Sequence, residues 1–191
     1  MSDVKKGLVF VVSAPAGTGK TTLVRMLLEE FHSVIESVSY TTRDPRPNEV
    51  MGRDYNFISV KEFEEKISEG EFLEYAQVFG NFYGTSRKVV EGQQEKGKHV
   101  ILVIDTQGAL HLMDKLDAVY IFISPPSLEE LRSRLYRRKA DTEQAIETRL
   151  SWAEKEMSLA GQYNYHIVND HLKTAYDALR SILIAEEHRN R

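Results

Sequence analysis

Leu8-Val-Phe-Val-Val12-Ser13-Ala14-Pro15-Ala16-Gly17-Thr18-Gly19-Lys20-Thr21-Thr22 is the stretch whose reading decides the fold. Its first five residues form a continuous apolar run, which suits a strand buried on both faces of a parallel sheet. Pro15, Gly17 and Gly19 then break the strand. From Thr21 to Phe31, Leu23, Met26, Leu27 and Phe31 recur at helical spacing. A strand, a glycine-bearing loop and a helix that opens on Gly-Lys-Thr fit the pattern G-x-x-x-x-G-K-[S/T], except that Ala14 stands at the first glycine. Such a loop offers successive backbone N–H groups as a nest for phosphate oxygens, and the helix N-terminus adds a favourable dipole. Residues Ala14, Pro15, Ala16, Gly17, Thr18, Gly19, Lys20, Thr21 and Thr22 are therefore the candidate phosphate-binding set. Lys20 is expected at the outer phosphates and the Thr21 hydroxyl on Mg²⁺. An alanine at position 14 implies a backbone with no need of positive φ.

Outward from this stretch, strands and helices alternate. His99–Asp105 and Ala118–Ser124 read as two more buried strands, and Tyr165–Val168 as a short fourth. Ser127-Leu-Glu-Glu130 is a capping box that opens a helix ending in a basic cluster, Arg132 to Lys139. Asp141-Thr-Glu-Gln144 is expected to cap a long helix through about Ala160, and Lys173–Glu187 is a terminal amphipathic helix. The alternation implies an α/β protein with a mostly parallel central sheet flanked by helices. Positions 34–96 are less regular and suggest an inserted lobe. There the expectations are a weak strand over Val34–Tyr40, a loop over Thr41–Gly52 and a short strand over Tyr55–Ile58. A helix follows, capped by Ser59-Val-Lys-Glu62 and ending near Gly70, then a strand over Phe72–Phe79. A turn over Gly80–Gly84 and a helix from Arg87 to Lys96 complete the stretch.

Composition narrows the function classes. The 191 residues suit one domain with a real core, and the absence of cysteine excludes disulfides, thiolate metal sites and cysteine nucleophiles. With 25 Lys plus Arg against 29 Asp plus Glu, the net charge is −4, unlike the basic surplus of a dedicated nucleic-acid binder. The longest apolar runs have five or six residues, whereas a membrane span needs roughly 20. The polar start lacks the apolar core of a secretory signal, so the expected address is the cytoplasm, with no membrane or nucleic-acid partner. The sequence carries no signal for monomer against homo-oligomer.

Several side chains carry candidate chemistry. Asp105 ends a buried strand, where it suits either a metal-site carboxylate, the favoured reading, or a turn or helix cap. Asp105-Thr-Gln-Gly108 matches D-x-x-G formally, but the chain has no Asn-Lys pair and hence no N-K-x-D guanine reader of a GTPase. Arg43 and Arg46 lie three residues apart on a proline-stiffened loop, a spacing that lets two guanidiniums clamp a phosphate. Tyr55 and Tyr83 are hydroxyls able to complete that clamp. Glu74 interrupts an otherwise apolar strand, either as an outward solvated residue, the reading composition favours, or as a base reader. The segment from Arg132 to Lys139 carries five positive charges in eight residues and no acid. By charge pattern alone it reads as a solvated helix end, favourable near a C-terminal dipole.

Taken together, Ser-Ala-Pro-x-Gly-x-Gly-Lys-Thr, Ser-x-x-Thr-Thr-Arg-x-Pro-Arg-Pro, Gly-x-Asp-Tyr-x-Phe, Phe-Leu-Glu, Gly-Asn-x-Tyr-Gly-Thr, Ile-Asp-x-Gln-Gly, Ile-x-Pro-Pro-Ser and Ile-Val-Asn-Asp resemble the guanylate kinase family from about Gly7 to Arg189. The Thr-Thr-Arg-x-Pro-Arg and Asn-x-Tyr-Gly-Thr segments are the specific part; the phosphate loop is shared more widely. The resemblance implies a P-loop kinase fold and ATP-dependent phosphorylation of GMP to GDP with Mg²⁺, so that ATP and GMP are the partners. It implies a core of about 1–33, 97–125 and 161–191, a GMP-binding lobe of about 34–96 and a short lid of about 126–160. By similarity, Arg43, Arg46, Tyr55 and Tyr83 hold the GMP phosphate, while Ser39, Glu74 and Thr85 read the guanine. Lys20, Arg43, Arg134, Arg138 and Arg149 are the catalytic cations. Thr21 and Asp105 serve the metal, and Asn169 approaches the adenine, with a polar turn as the alternative for Asn169-Asp170. No general base is required, because the attacking phosphate oxygen is already anionic.

The chain departs from the family pattern at Val103, where an acid is common, at Arg137 and Lys139, where lid glycines are common, and at Thr106, where a bulkier residue is common. A protein-binding module on the same fold, or a kinase for another acceptor, are the competing expectations.

Overall fold

The computed structural model describes residues 5–137 and 142–190. Five strands form the central sheet: β1 (Val9–Ser13), β2 (Val34–Glu36), β7 (His99–Val103), β8 (Val119–Ser124) and β9 (Tyr165–Val168), in the order β2-β7-β1-β8-β9. All four pairings are parallel, and the β1/β7 register sets Val9 beside Val100 and Val12 beside Val103. The continuous apolar runs are explained by burial on both faces. Phe10, Val12, Ile101, Ile121 and Ile123 pack with Leu23, Val24 and Leu27 of α1 (Lys20–Glu30) and with Ala175, Leu179 and Leu183 of α7 (Leu172–Glu187). Their neighbours Val9, Val11, Val100, Leu102 and Phe122 face the other way, onto Val90 of α3 (Arg87–Glu95) and Ala109 and Leu112 of α4 (Thr106–Met113). The period-two alternation of side chains thus turns one apolar run into two core layers.

A smaller four-stranded sheet, ordered β4-β3-β6-β5, contains β3 (Tyr40–Thr41), β4 (Asn56–Phe57), β5 (Phe72–Val78) and β6 (Asn81–Ser86). Phe63, on α2 (Val60–Ser68), packs beneath it, with ring centroids 4.5 Å from Phe72 and 5.2 Å from Phe82. Gly84 admits this stack, since a Cβ there would meet Phe63 Cζ at 2.9 Å. The capping box that opens α2 is complete: Ser59 Oγ accepts from the Glu62 amide, and the Glu62 carboxylate accepts from the Ser59 amide at 2.8 Å. A third apolar cluster joins Leu131 and Leu135 of α5 (Leu128–Arg137) to Ile146, Leu150 and Ala153 of α6 (Glu143–Ser158).

Four expectations are corrected. The strand expected over Val34–Tyr40 is two strands in different sheets, because β2 pairs with the distant β7 while β3 pairs with β4 and β6. Residues 81–84 are strand, not turn: the reversal is the two-residue loop Phe79-Gly80, with φ 48 and 81, the pattern that matches strand twist in a tight hairpin. Helix α4 was not anticipated, and Asp105 caps it, accepting from the Gly108 amide at 3.0 Å. The second capping box is half formed: Ser127 Oγ accepts from the Glu130 amide at 3.1 Å, but the Glu130 carboxylate is taken by Arg134 and Arg137. Helix α6 is capped by Thr142, whose hydroxyl accepts from the Ala145 amide. Asp141, Arg138 and Lys139 lie outside the described residues. Among the described residues, no helix is long and apolar enough to cross a membrane.

Candidate active site

The loop between β1 and α1 leaves the carboxyl end of the central strand, the edge at which open α/β sheets place ligands. Gly17 and Gly19 sit at φ 91 and 96, whereas Ala14 has no positive φ, which accounts for an alanine there. Gly19 is the N-cap of α1, and no side chain caps the helix. Its first-turn amides, unpaired within the helix, therefore lie at a cavity of about 400 Å³ lined by residues 14–22. The loop is braced from within. Thr18 Oγ1 donates to Pro15 O at 2.8 Å, and the Asn169 amide donates to Thr18 O at 2.7 Å. A Cβ on Gly19 would strike that Asn169 nitrogen at 2.7 Å.

Lys20 is half-buried in the cavity wall and donates Nζ to Ile104 O at 2.9 Å. Burial lowers its pKa, opposed by the charges of Glu156, Asp105 and Glu36. Asp105, Thr21 and Arg149 line the same cavity. Glu156 lines it as well, its carboxylate held by the Thr106 hydroxyl at 2.7 Å. Burial raises the Glu156 pKa, and the Asp105 charge adds to that. Thr106 thus has a definite partner at the position where it departs from the family pattern.

The opposite wall comes from the second sheet. Glu74 and Ala76 of β5 pair with Thr85 and Tyr83, so Glu74 lies on the cavity side and is 7 % exposed, whereas a register shift between Phe72 and Glu74 turns Phe72 the other way, onto Phe63. The outward, solvated reading of this carboxylate is thereby overturned. Glu74 pairs across the hairpin with Thr85, whose hydroxyl donates to Oε1 at 2.6 Å. Burial, helped by the Asp105 charge and resisted by the Thr85 bond, raises the Glu74 pKa to about 7. Gly108 packs against the same group: a Cβ there would meet Glu74 Oε2 at 2.6 Å. Ser39, Arg46, Tyr55, Tyr83 and Val103 also line the cavity.

Some expected site residues stand back from the cavity wall. Arg43 lies over the Tyr55 ring, 5.4 Å from its centroid, and donates to Glu49 Oε1 at 2.8 Å. Glu49 also accepts from the Arg46 amide, so one carboxylate, which the sequence reading missed, sets the loop carrying both arginines. Thr85 is buried behind Glu74. Asn169 is buried beneath the phosphate loop, and its carbonyl accepts from Arg134 Nη1 at 3.0 Å. Arg134 is further held by Glu130 at 2.8 Å. The sequence reading also missed Glu156 and Trp152. Counting from Arg149 along α6 finds both, since positions i, i+3 and i+7 share a helix face.

One cavity therefore joins a candidate phosphate loop and a half-buried lysine to an inward carboxylate with a hydroxyl partner. Comparison with known proteins shows the family. A family model described as "Guanylate kinase" matches residues 6–186. The guanylate kinase of Protochlamydia amoebophila is 58% identical over 185 residues, covering 97% of this chain and 94% of that protein. The guanylate kinase of Chlamydia felis is 50% identical over 183 residues, covering 95% and 90%. The crystal structure of guanylate kinase from Anaplasma phagocytophilum superposes with a TM-score of 0.82 at 39% identity, covering 97% of this chain and 89% of that one. With a family match over nearly its whole length and relatives of this identity, the chain belongs to the guanylate kinase family.

Proposed function

We propose that this protein transfers the terminal phosphoryl group of ATP to GMP, giving ADP and GDP, and that the two walls of the cavity divide the work. The observation that carries the reading is Glu74, buried and hydrogen-bonded to Thr85 in the same cavity as the phosphate loop. Guanine presents N1–H and N2–H₂ donors side by side, and one carboxylate accepts both. Adenine offers a bare N1 acceptor there, which a carboxylate repels. A site built on such bonds discriminates strongly, because the wrong base leaves buried groups unpaired.

On the donor side, the amides of residues 14–22 and Lys20 cradle the ATP phosphates. Asn169 supports them from beneath by fixing the loop. On the acceptor side, Arg46, Tyr55 and Tyr83 hold the GMP phosphate, with Arg43 joining from the same loop, and Ser39 and Thr85 complete the guanine pocket around Glu74. Arg134, Arg138 and, on α6, Arg149 belong to the lid of about 126–160, whose closure over two bound polyanions offsets the charge developing between them. The core is assigned to about 1–33, 97–125 and 161–191, and the GMP-binding lobe to about 34–96, rooted through β2 and α3 in the central layers.

Thr21 and Asp105 present hard oxygen donors to the cavity, the ligand type magnesium takes. They fit Mg²⁺, which when bound with ATP supplies neutralisation of phosphate charge. The working compartment assigned is the cytoplasm.

The test is ADP formation from ATP and Mg²⁺ with GMP, AMP, dTMP or no acceptor in parallel. Turnover with GMP alone is expected. Turnover with another acceptor would discard the guanine role of Ser39, Glu74 and Thr85, and nucleotide binding without turnover would place the chain with binding modules of this fold. In the same assay Glu74→Ala is expected to weaken GMP use far more than ATP use; equal loss for both would remove Glu74 from the acceptor site.

A further inference from the structure

Two large aromatic side chains meet across the mouth of the cavity. Phe79 and Trp152 pack edge to face, with centroids 5.8 Å apart and an interplanar angle of 73°. They line the cavity but remain 55% and 42% exposed. They come from opposite walls. Phe79 is the first residue of the β5–β6 reversal, on the hairpin that carries Glu74, Tyr83 and Thr85. Trp152 lies on α6, one helical turn beyond Arg149 and one turn before Glu156.

Nothing in the turn itself calls for a phenylalanine. Its φ of 48 makes it the one described non-glycine residue in the left-handed region, where glycine or asparagine fits a tight hairpin better. A bulky ring held there at a conformational cost, and half in solvent, has its explanation in what it touches. The indole is approached from its own helix as well, with Lys155 Nζ 5.7 Å from its centroid.

We propose that Phe79 and Trp152 are positioning residues of the reaction: their contact ties the acceptor-reading hairpin to α6 of the lid, which raises the fraction of free molecules that already hold Arg149 against the cavity when the acceptor arrives. This rests on the role given above to Arg149. Without the ring contact, part of the acceptor's binding free energy is used to bring the two walls together. The apparent affinity then falls by the fraction of molecules in the competent arrangement, while the saturated complex reacts as before.

Trp152 is the chain's single tryptophan, so its emission reports the contact directly. The experiment compares emission of the free protein and steady-state kinetics for the wild type, Phe79→Ala, Phe79→Gly, Trp152→Ala, Trp152→Phe and the double alanine variant, with circular dichroism confirming each fold. Phe79→Gly removes the ring while suiting the turn, so it separates the contact from backbone strain. Removing either ring is expected to raise the KM for GMP about three- to tenfold, the range of an aromatic pair. The kcat and the KM for ATP are expected to stay within about twofold, below that range. Phe79→Gly is expected to shift Trp152 emission to longer wavelength, Trp152→Phe to restore most of the GMP affinity, and the double variant to be no worse than either single one. Unchanged emission in the Phe79 variants, independent and multiplying effects in the double variant, or a fall in kcat with unchanged KM would each overturn the proposal. An absence of GMP turnover in the wild type would instead overturn the functional reading, and the emission comparison would still decide whether the rings touch.

Discussion

Lys20 and Glu74 line one cavity, and burial acts on their pKa values in opposite senses. It lowers the pKa of the lysine and raises that of the carboxylate, since in each case it disfavours the charged form. In the function proposed above, each gains its charged form's partner from a ligand, phosphate for Lys20 and guanine N–H donors for Glu74. Lys20→Ala is therefore expected to keep the fold, as the side chain serves a charge role and its main tie is one bond to Ile104 O. Turnover should fall by on the order of 10³, in line with loss of a preorganised transition-state donor. Near-wild-type turnover with an unchanged melting curve would remove Lys20 from the chemistry. Gly108→Ala acts on the other wall. Its new Cβ would sit 2.6 Å from Glu74 Oε2 and 3.1 Å from the capping Asp105 Oδ1, so it displaces the Glu74 carboxylate most and crowds the cap less. The expected result is a clear rise in the KM for GMP and a smaller rise in the KM for ATP, measured by steady-state kinetics.

At the scale of elements, α4 shows how one residue can hold two jobs. Asp105 caps it through the bond from the Gly108 amide, and also lines the cavity as a candidate metal carboxylate. The two jobs separate by substitution. Asn caps about as well as Asp, whereas Ala costs about 1 kcal/mol at such a position. Asp105→Asn is thus expected to melt close to the wild type but to lose magnesium-dependent turnover. Asp105→Ala should lose both, with a melting shift of a few degrees measured by calorimetry. Full activity in the asparagine variant would leave Asp105 with the capping job alone. The helix escaped the sequence reading because Thr106-Gln-Gly-Ala-Leu-His-Leu-Met is short and carries a glycine at its third position, a break by propensity. That glycine is there because Glu74 of β5 packs against it, a contact no local pattern reveals. Gly84 misled the turn assignment in the same way: its small size serves the Phe63–Phe72 stack inside a strand.

For the whole molecule, bringing two walls together over one cavity leaves carboxylates dry, and this carries a pH signature. The Glu74 pKa is about 7 in the folded protein against 4.5 as the ordinary value. Between those limits the folded chain holds a proton that the unfolded chain has released. Stability therefore falls as pH rises across that window and levels off above it, by a few kcal/mol in total. The raised pKa of Glu156 acts in the same direction. The ligand-free protein is expected to melt at progressively lower temperature from pH 5 to pH 7.5, and Glu74→Gln, which cannot ionise, to flatten much of that slope. A slope unaffected by the substitution would assign the pH dependence elsewhere.

What the sequence determined by itself are the features whose cause is local. The two-face apolar runs of β1, β7 and β8 need only to be buried. The phosphate loop needs two glycines at positive φ followed by Lys-Thr. The box Ser59-Val-Lys-Glu62 caps a helix within four residues. Arg43 and Arg46 were legible as a candidate phosphate clamp because two guanidiniums lie three residues apart on a proline-stiffened loop, whereas composition favoured a solvated Glu74. Tertiary structure alone decided that Glu74 points inward, that Val34–Glu36 joins β7 while Tyr40–Thr41 joins another sheet, that Asn169 lies under the loop, and that Glu49, Thr106 and Glu156 hold their partners. It also decided that Phe79 meets Trp152, 73 positions away in the chain. The physical reason is the same in each case: these outcomes depend on which distant surfaces come together to exclude water, and propensity, periodicity and spacing report only on neighbours along the chain.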